Sequence, residues 1–195
     1  MKARDNIFIL IIGVVISVAS IVLALFKIKL WYFAGVFGLW FLFDYLTSMK
    51  KKDTTIQLFI KDKKTFFNLY LVLLAVGMSI EYIGRFLLGW WHYTSPKYLE
   101  IFVILYPFML FSLREMYEST KMFLKNRVFA FIAAMVIGII IWELPNLISL
   151  SWIYAMPFGF EIVGINIIVI IGWALLIGIP LYVYDMLLGK KGTKK

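Results

Sequence analysis

Residues 7–26 read IFILIIGVVISVASIVLALF, an apolar run of twenty residues without a single charge. A helix rises about 1.5 Å per residue, so a run of this length crosses the roughly 30 Å hydrocarbon core of a bilayer. It is longer than the apolar region of a signal peptide, about 7–15 residues, and no clear small-residue cleavage site follows before Lys27. The expectation is an uncleaved first spanning helix.

Five further apolar runs follow, near 29–48, 65–90, 99–118, 127–150 and 160–188. Together they predict an all-α fold: a polytopic membrane bundle of six transmembrane helices forming a single domain over residues 1–195. The composition agrees, with 63% hydrophobic residues and a mean hydropathy of +0.92. Soluble domains are usually about 45–50% apolar, and a water-soluble chain of this size would have nowhere to hide the excess.

Several chemistries are excluded at this stage. There is no cysteine, hence no disulfide, thiolate nucleophile or Cys-ligated metal. One histidine, His92, cannot build a His-rich site alone, and no phosphate-cradling glycine loop, HExxH or GxSxG is present. No metal and no cofactor are expected. The net charge of +9 lies in the connections between apolar runs, which points to membrane topology and away from nucleic acid.

The basic residues orient the chain. Lys2 and Arg4 precede the first run. Lys50, Lys51, Lys52, Lys61, Lys63 and Lys64 lie in the 49–64 connection. Lys121, Lys125 and Arg127 lie near 119–127, and Lys190, Lys191, Lys194 and Lys195 close the chain. These fifteen share one side, while Lys27, Lys29 and Lys97 lie on the other. Basic loops stay inside, so the N- and C-termini are expected in the cytoplasm of a multi-pass cell-membrane protein. The 49–64 connection either binds anionic lipid head groups or only sets topology.

The outer connections read WWHYTSPKY (90–98) and SWIYAMPFGFE (151–161). Their plain reading is an aromatic belt at the membrane–water interface. They also belong to a repeat at an offset of about 61 residues. Gly77 matches Gly138, Glu81 roughly matches Glu143, Trp91 matches Trp152, and Tyr93 matches Tyr154. Each unit is a rising helix with a late glutamate, a W-x-Y turn, then a falling helix. This predicts a tandem helical-hairpin repeat, an arrangement that often places a site at the repeat interface. Asp44, Glu115 and Asp185 near the inner ends of falling helices suggest a third, weaker unit.

Charges inside a bilayer are costly unless paired or hydrated. Glu81 and Glu143 each lie roughly 24 Å from the inner end of their helices, so they are candidate catalytic groups facing one cavity. Arg85 shares a helix face with Glu81, which suggests an ion pair, and Asn146 shares a face with Glu143. Pro145 between them is expected to kink or end the helix. Trp91, Tyr93, Trp152 and Tyr154, with Arg85 and Asn146, are candidate ligand contacts, and His92 is a further acid–base candidate. The competing reading makes these groups helix-to-helix staples, and both readings stay open here.

WELPNLISLSWIYAMPFGFE (142–161), FDYLTSMKKKD (43–53), EYIGRFLLGWWHY (81–93) and LYPFMLFSLREMYE (105–118) resemble a family of uncharacterised polytopic membrane proteins. That family is marked by W-E-x-x-N, then W-x-Y and P-F, then an acidic residue. Leu144 and Pro145 stand where it usually has an aromatic residue, and the final helix lacks its late glutamate, with Asp185 nearby. A fainter likeness is to lycopene-cyclase-type membrane proteins, whose Pro-x-Glu-Glu signature is absent. The resemblance implies membership and site positions, with no activity attached.

Three functions are compatible with these residues. One is a lipid- or isoprenoid-handling protein, as enzyme or binder, with Glu81 and Glu143 as acid and base. The second is a small solute or ion transporter or channel, in which Asp44 and Glu115 continue the polar path. The third is a structural or assembly subunit. The expected partners are membrane lipids, no nucleic acid, and either a homo-oligomer or a membrane partner.

Overall fold

Why these runs become helices is clearest at their ends in the computed structural model, which describes residues 3–51, 53–157, 159–162 and 164–189. Lys2, Lys52, Lys190, Lys191, Lys194 and Lys195 of the charge pattern lie outside the described residues. The elements are α1 (Ala3–Leu25), α2 (Trp31–Ser48), α3 (Thr55–Lys61), α4 (Lys63–Glu81), β1 (Trp91–Tyr93), α5 (Pro96–Leu124), α6 (Arg127–Ser149), β2 (Trp152–Tyr154), β3 (Glu161–Ile162), β4 (Ile165–Asn166) and α7 (Ile167–Leu188). Asp62, Asn126 and Asn166 cap α4, α6 and α7 by accepting backbone N–H groups that have no partner within the helix.

Among the described residues the regular structure is helical apart from four short strands. Four of the described helices are long and apolar enough to cross a membrane: α1 from Ile7, α4 with its continuation to Leu87, α6, and α7. α2 has 18 residues and carries Asp44. α5, with 29 residues, carries Arg114, Glu115 and Glu118 in its second half.

The long helices run alternately up and down. Trp31, at the start of α2, reaches Ser151 after the end of α6. At the opposite end Thr47 of α2 bonds the Glu115 carbonyl, and Tyr184 of α7 bonds the Asp53 carbonyl. The bundle thus has a strand end, holding β1–β4, and a basic end, holding α3 and the lysine-rich connection.

α5 is the central helix. From Leu105 to Thr120 every residue but Phe108 is buried, surrounded by α2, α4, α6 and α7. A helix buried on all sides must satisfy its polar groups internally, and α5 does so at the basic end. Against α2 packs α1, the two backbones almost touching. A Cβ on Gly38 would stand 2.6 Å from the Ser17 backbone nitrogen, and one on Gly13 2.7 Å from that of Leu42. Small residues permit this approach between apolar helices.

The observed boundaries depart from the expected ones in four places. The sixth helix starts at Ile167 rather than near 160, because β3 and β4 form a tight hairpin around Gly164 (φ +73°) before the Asn166 cap. The third run is not α-helical throughout; residues 82–87 form wider π-helical turns. The basic connection contains α3, started by Thr54, whose side chain accepts from Gln57 N–H. The W-x-Y segments are not turns. They are strands that pair with each other.

Candidate functional site

The site begins with two carboxylates and the strands that hold their donors. β1 and β2 pair antiparallel with Trp91 opposite Tyr154, His92 opposite Ile153 and Tyr93 opposite Trp152. Two flanking bonds, Ala155 N–H to the Trp90 carbonyl and Thr94 N–H to the Ser151 carbonyl, extend the ladder. Alternation along a strand sends neighbouring side chains to opposite faces. The aromatic residues of W-x-Y therefore share one face, and His92 falls on the exposed one.

Glu81, the last residue of α4, is 3% exposed. Its Oε1 accepts from the hydroxyls of Tyr93 (2.5 Å) and Tyr106 (2.9 Å), and its Oε2 from the Trp91 indole (3.3 Å). Glu143 of α6 is 4% exposed. It accepts from the Tyr154 hydroxyl (2.9 Å to Oε1) and from the Trp173 indole (3.1 Å). Trp152 donates in turn to the Tyr154 oxygen at 2.9 Å. Each glutamate thus has tyrosine and tryptophan donors, drawn from its own W-x-Y strand and from the following helix.

The ring supplied by that helix rests on a glycine in both cases. Tyr106 packs over Gly77, and Trp173 over Gly138. A third glycine is tighter. A Cβ on Gly84 would stand 1.7 Å from the Trp91 ring, so the π-helical turn brings its backbone against the indole that serves Glu81. Irregular π turns of this kind are often found at functional sites.

Both glutamates line one cavity of about 670 Å³. Its wall is formed by α4, α5, α6, α7, the strand pair and the start of α2, and nine of its residues are tryptophan or tyrosine. Tyr32 lines the same cavity. Its ring lies 5.0 Å from that of Trp142 and 5.9 Å from that of Trp152. Lining residues Ile83 (50% exposed) and Leu175 (63%) also face outward, so the cavity reaches the bundle surface between α4 and α7.

Electrostatics fix the role of the strand tyrosines. Burial, reinforced by the charge of Glu81, pushes the Tyr93 phenol far above its usual range, and burial with the charge of Glu143 does the same for Tyr154. Both hydroxyls therefore keep their protons at physiological pH and donate to the carboxyl oxygens of Glu81 and Glu143.

Of the residues singled out from the sequence, Glu81, Glu143, Trp91, Tyr93, Trp152 and Tyr154 come together in this wall. His92, Arg85 and Asn146 are not part of it. The expected Glu81–Arg85 ion pair does not form. Arg85 instead lies over the rings of Phe86 (4.9 Å) and Tyr93 (5.2 Å), with one guanidinium nitrogen buried and unbonded. Asn146 is fully engaged by the Trp152 backbone, donating to its carbonyl and accepting its N–H. Pro145 does not end α6, which continues to Ser149. Trp142 enters the sequence reading only as the first residue of the W-E-x-x-N motif, and Tyr32, Tyr106 and Trp173 are not among its candidate site residues. In sequence these last three are aromatic residues on apolar helices, with nothing to separate them from the rest of the core.

A second polar cluster anchors the basic end. Asp44 accepts from the Thr54 hydroxyl (2.8 Å), the Thr55 hydroxyl (3.2 Å) and the Ile56 N–H (2.8 Å). Glu115 accepts from Thr55 N–H (3.0 Å) and from Arg114 (2.5 Å). Arg114 also donates to the Asp53 carbonyl and stacks on Tyr184 at 3.7 Å. Lys51 pairs with Glu118. The outcome is a fixed basic connection, its first half tied to α2 and α5. Asp185 is exposed and takes no place there.

No protein-family model, no curated protein and no solved structure matches this chain. The geometry of its own residues therefore carries the functional reading.

Proposed function

We propose that this is a six-span protein of the cell membrane, with both termini cytoplasmic, which handles a lipid or isoprenoid in the cavity between its two glutamates. The tandem hairpin repeat is part of the reading. It is supported by the mutual pairing of the two W-x-Y strands and by the matching glycine–ring–glutamate arrangements at Gly77 and Gly138. The membrane setting is supported by the four apolar helices and the exposed apolar side chains along them.

The observation that carries the ligand class is the form of the cavity. It is lined almost wholly by apolar and aromatic groups, with polar groups converging at one end, as in small-molecule sites generally. It reaches the surface between α4 and α7 at Ile83 and Leu175, where a lipid-phase molecule would arrive sideways from the bilayer. Two carboxylates in such a place also suit proton transfer to an apolar substrate. A transport path would need polar groups continuing toward the basic end, but Asp44 holds the loop through both of its oxygens and Glu115 holds it through Oε1.

Native mass spectrometry of gently purified protein, with extraction and identification of retained lipid, tests this. A specific apolar molecule is expected in the wild type and absent from Gly172→Phe. Gly172 lines the cavity, and a Cβ there meets nothing within 4 Å, so a large side chain at this position takes up space in the cavity. Bulk lipid alone, equal in both proteins, would overturn the reading. A change in the retained molecule in Glu81→Gln or Glu143→Gln would add the acid–base role.

A further inference from the structure

Resting on the cavity reading above, we infer that the preferred ligand carries a cationic head, an ammonium or quaternary ammonium group, on an apolar tail. The first ground is charge. Among the described residues, the cavity wall contains Glu81 and Glu143 but no lysine, arginine or histidine. Arg85 lies outside the wall, and among the described residues neither glutamate has an ion-pair partner.

The second ground is the donor set. Indole N–H groups can only donate, and Trp91 and Trp173 aim theirs at Glu81 and Glu143 respectively. Phenol donors complete each set. Every one of these donors ends on a carboxyl oxygen. Among the described residues the two acidic groups of the wall have no cationic partner, a place that a ligand's ammonium group would take. A phosphate or carboxylate head would find no cationic partner among the described lining residues.

The third ground is the aromatic lining: nine of the residues that line the cavity are tryptophan or tyrosine. Ring faces attract cations, most strongly when water is excluded, and aromatic enclosures bind quaternary ammonium groups by this means. A hydroxyl head would gain little from the faces. It would also compete for oxygens that already accept at least two hydrogen bonds each on Oε1.

The test is a titration of the full chain in a non-ionic maltoside micelle with three probes of equal tail length: dodecyltrimethylammonium, dodecanol and dodecyl phosphate. The readouts are calorimetry and quenching of tryptophan fluorescence. Dodecyltrimethylammonium should bind saturably, about tenfold or more tighter than dodecanol, with dodecyl phosphate weakest. Glu81→Gln and Glu143→Gln should each reduce ammonium affinity about tenfold and leave dodecanol affinity unchanged. Equal affinity for ammonium and alcohol in the wild type would overturn the cationic head and leave the apolar cavity standing. Saturable binding of none of the three would overturn both. The comparison of heads on the wild type does not depend on how well either variant folds.

Discussion

Trp91 and Tyr154 face each other across the strand pair, yet each donates to a different glutamate, Trp91 to Glu81 and Tyr154 to Glu143. The two halves of the site are thereby joined through one antiparallel ladder of three residue pairs. Residues that share a rigid element are energetically coupled. For the bound ammonium probe, losses in Trp91→Phe and Tyr154→Phe should therefore be non-additive, the double variant losing less than the sum of the single losses. Titration of all four proteins gives the coupling. Strict additivity would mean that the strand pair does not transmit between the carboxylates.

The basic connection should depend on Asp44. Removing its carboxylate in Asp44→Ala leaves the Thr54 hydroxyl and the Ile56 N–H without their acceptor, and unsatisfied buried groups cost about 1–3 kcal/mol each. The expected result is a lower melting temperature and rapid tryptic cleavage at Lys50 and Lys51, with ammonium binding at the strand end retained. Unchanged protease resistance would show that Glu115 and Arg114 hold the loop without Asp44.

Alkaline titration probes the strand tyrosines. An unperturbed phenol ionises near pH 10, but burial and the neighbouring glutamates raise Tyr93 and Tyr154 above that. With the folded value raised, their contribution to stability is complete below about pH 10 and is lost as pH climbs toward the folded value. Phenolate absorbance gained by about pH 11 should therefore be the same in wild type and in Tyr93→Phe/Tyr154→Phe. A smaller gain in the variant would show that these hydroxyls already ionise in the folded protein.

Topology can be tested directly because the chain contains no cysteine. Gly159→Cys, in the second long outer connection, and Lys50→Cys, at the basic end, place single thiols at opposite ends of the bundle. In intact cells a membrane-impermeant maleimide should label Gly159→Cys at once and Lys50→Cys only after permeabilisation. The reverse pattern would invert the orientation, and labelling of both would end the six-span reading.

How much of this was legible in the sequence differs from group to group. Glu81, Glu143 and the W-x-Y residues stand out because charge and repetition on apolar helices are rare, and the cost of burying a carboxylate makes its position informative. The Glu81–Arg85 pairing was misleading. Spacing of four puts two side chains on one helix face, but α4 gives way to π-helical turns immediately after Glu81, and Tyr93, Tyr106 and Trp91 reach the carboxylate first. Asn146 was similarly absorbed by the Trp152 backbone.

By itself the sequence determined the helical class, the order of the long helices and the two acidic positions, because apolar runs, caps and charges act over a few residues of chain. Only the tertiary structure decided that α5 lies at the centre, that the W-x-Y segments are paired strands and not turns, and that Tyr32, Tyr106, Trp142 and Trp173 join them around one cavity. Those outcomes depend on which faces meet across separations such as the 120 residues between Trp31 and Ser151. An aromatic residue reads the same in sequence whether it packs in a core, faces lipid or donates to a buried glutamate.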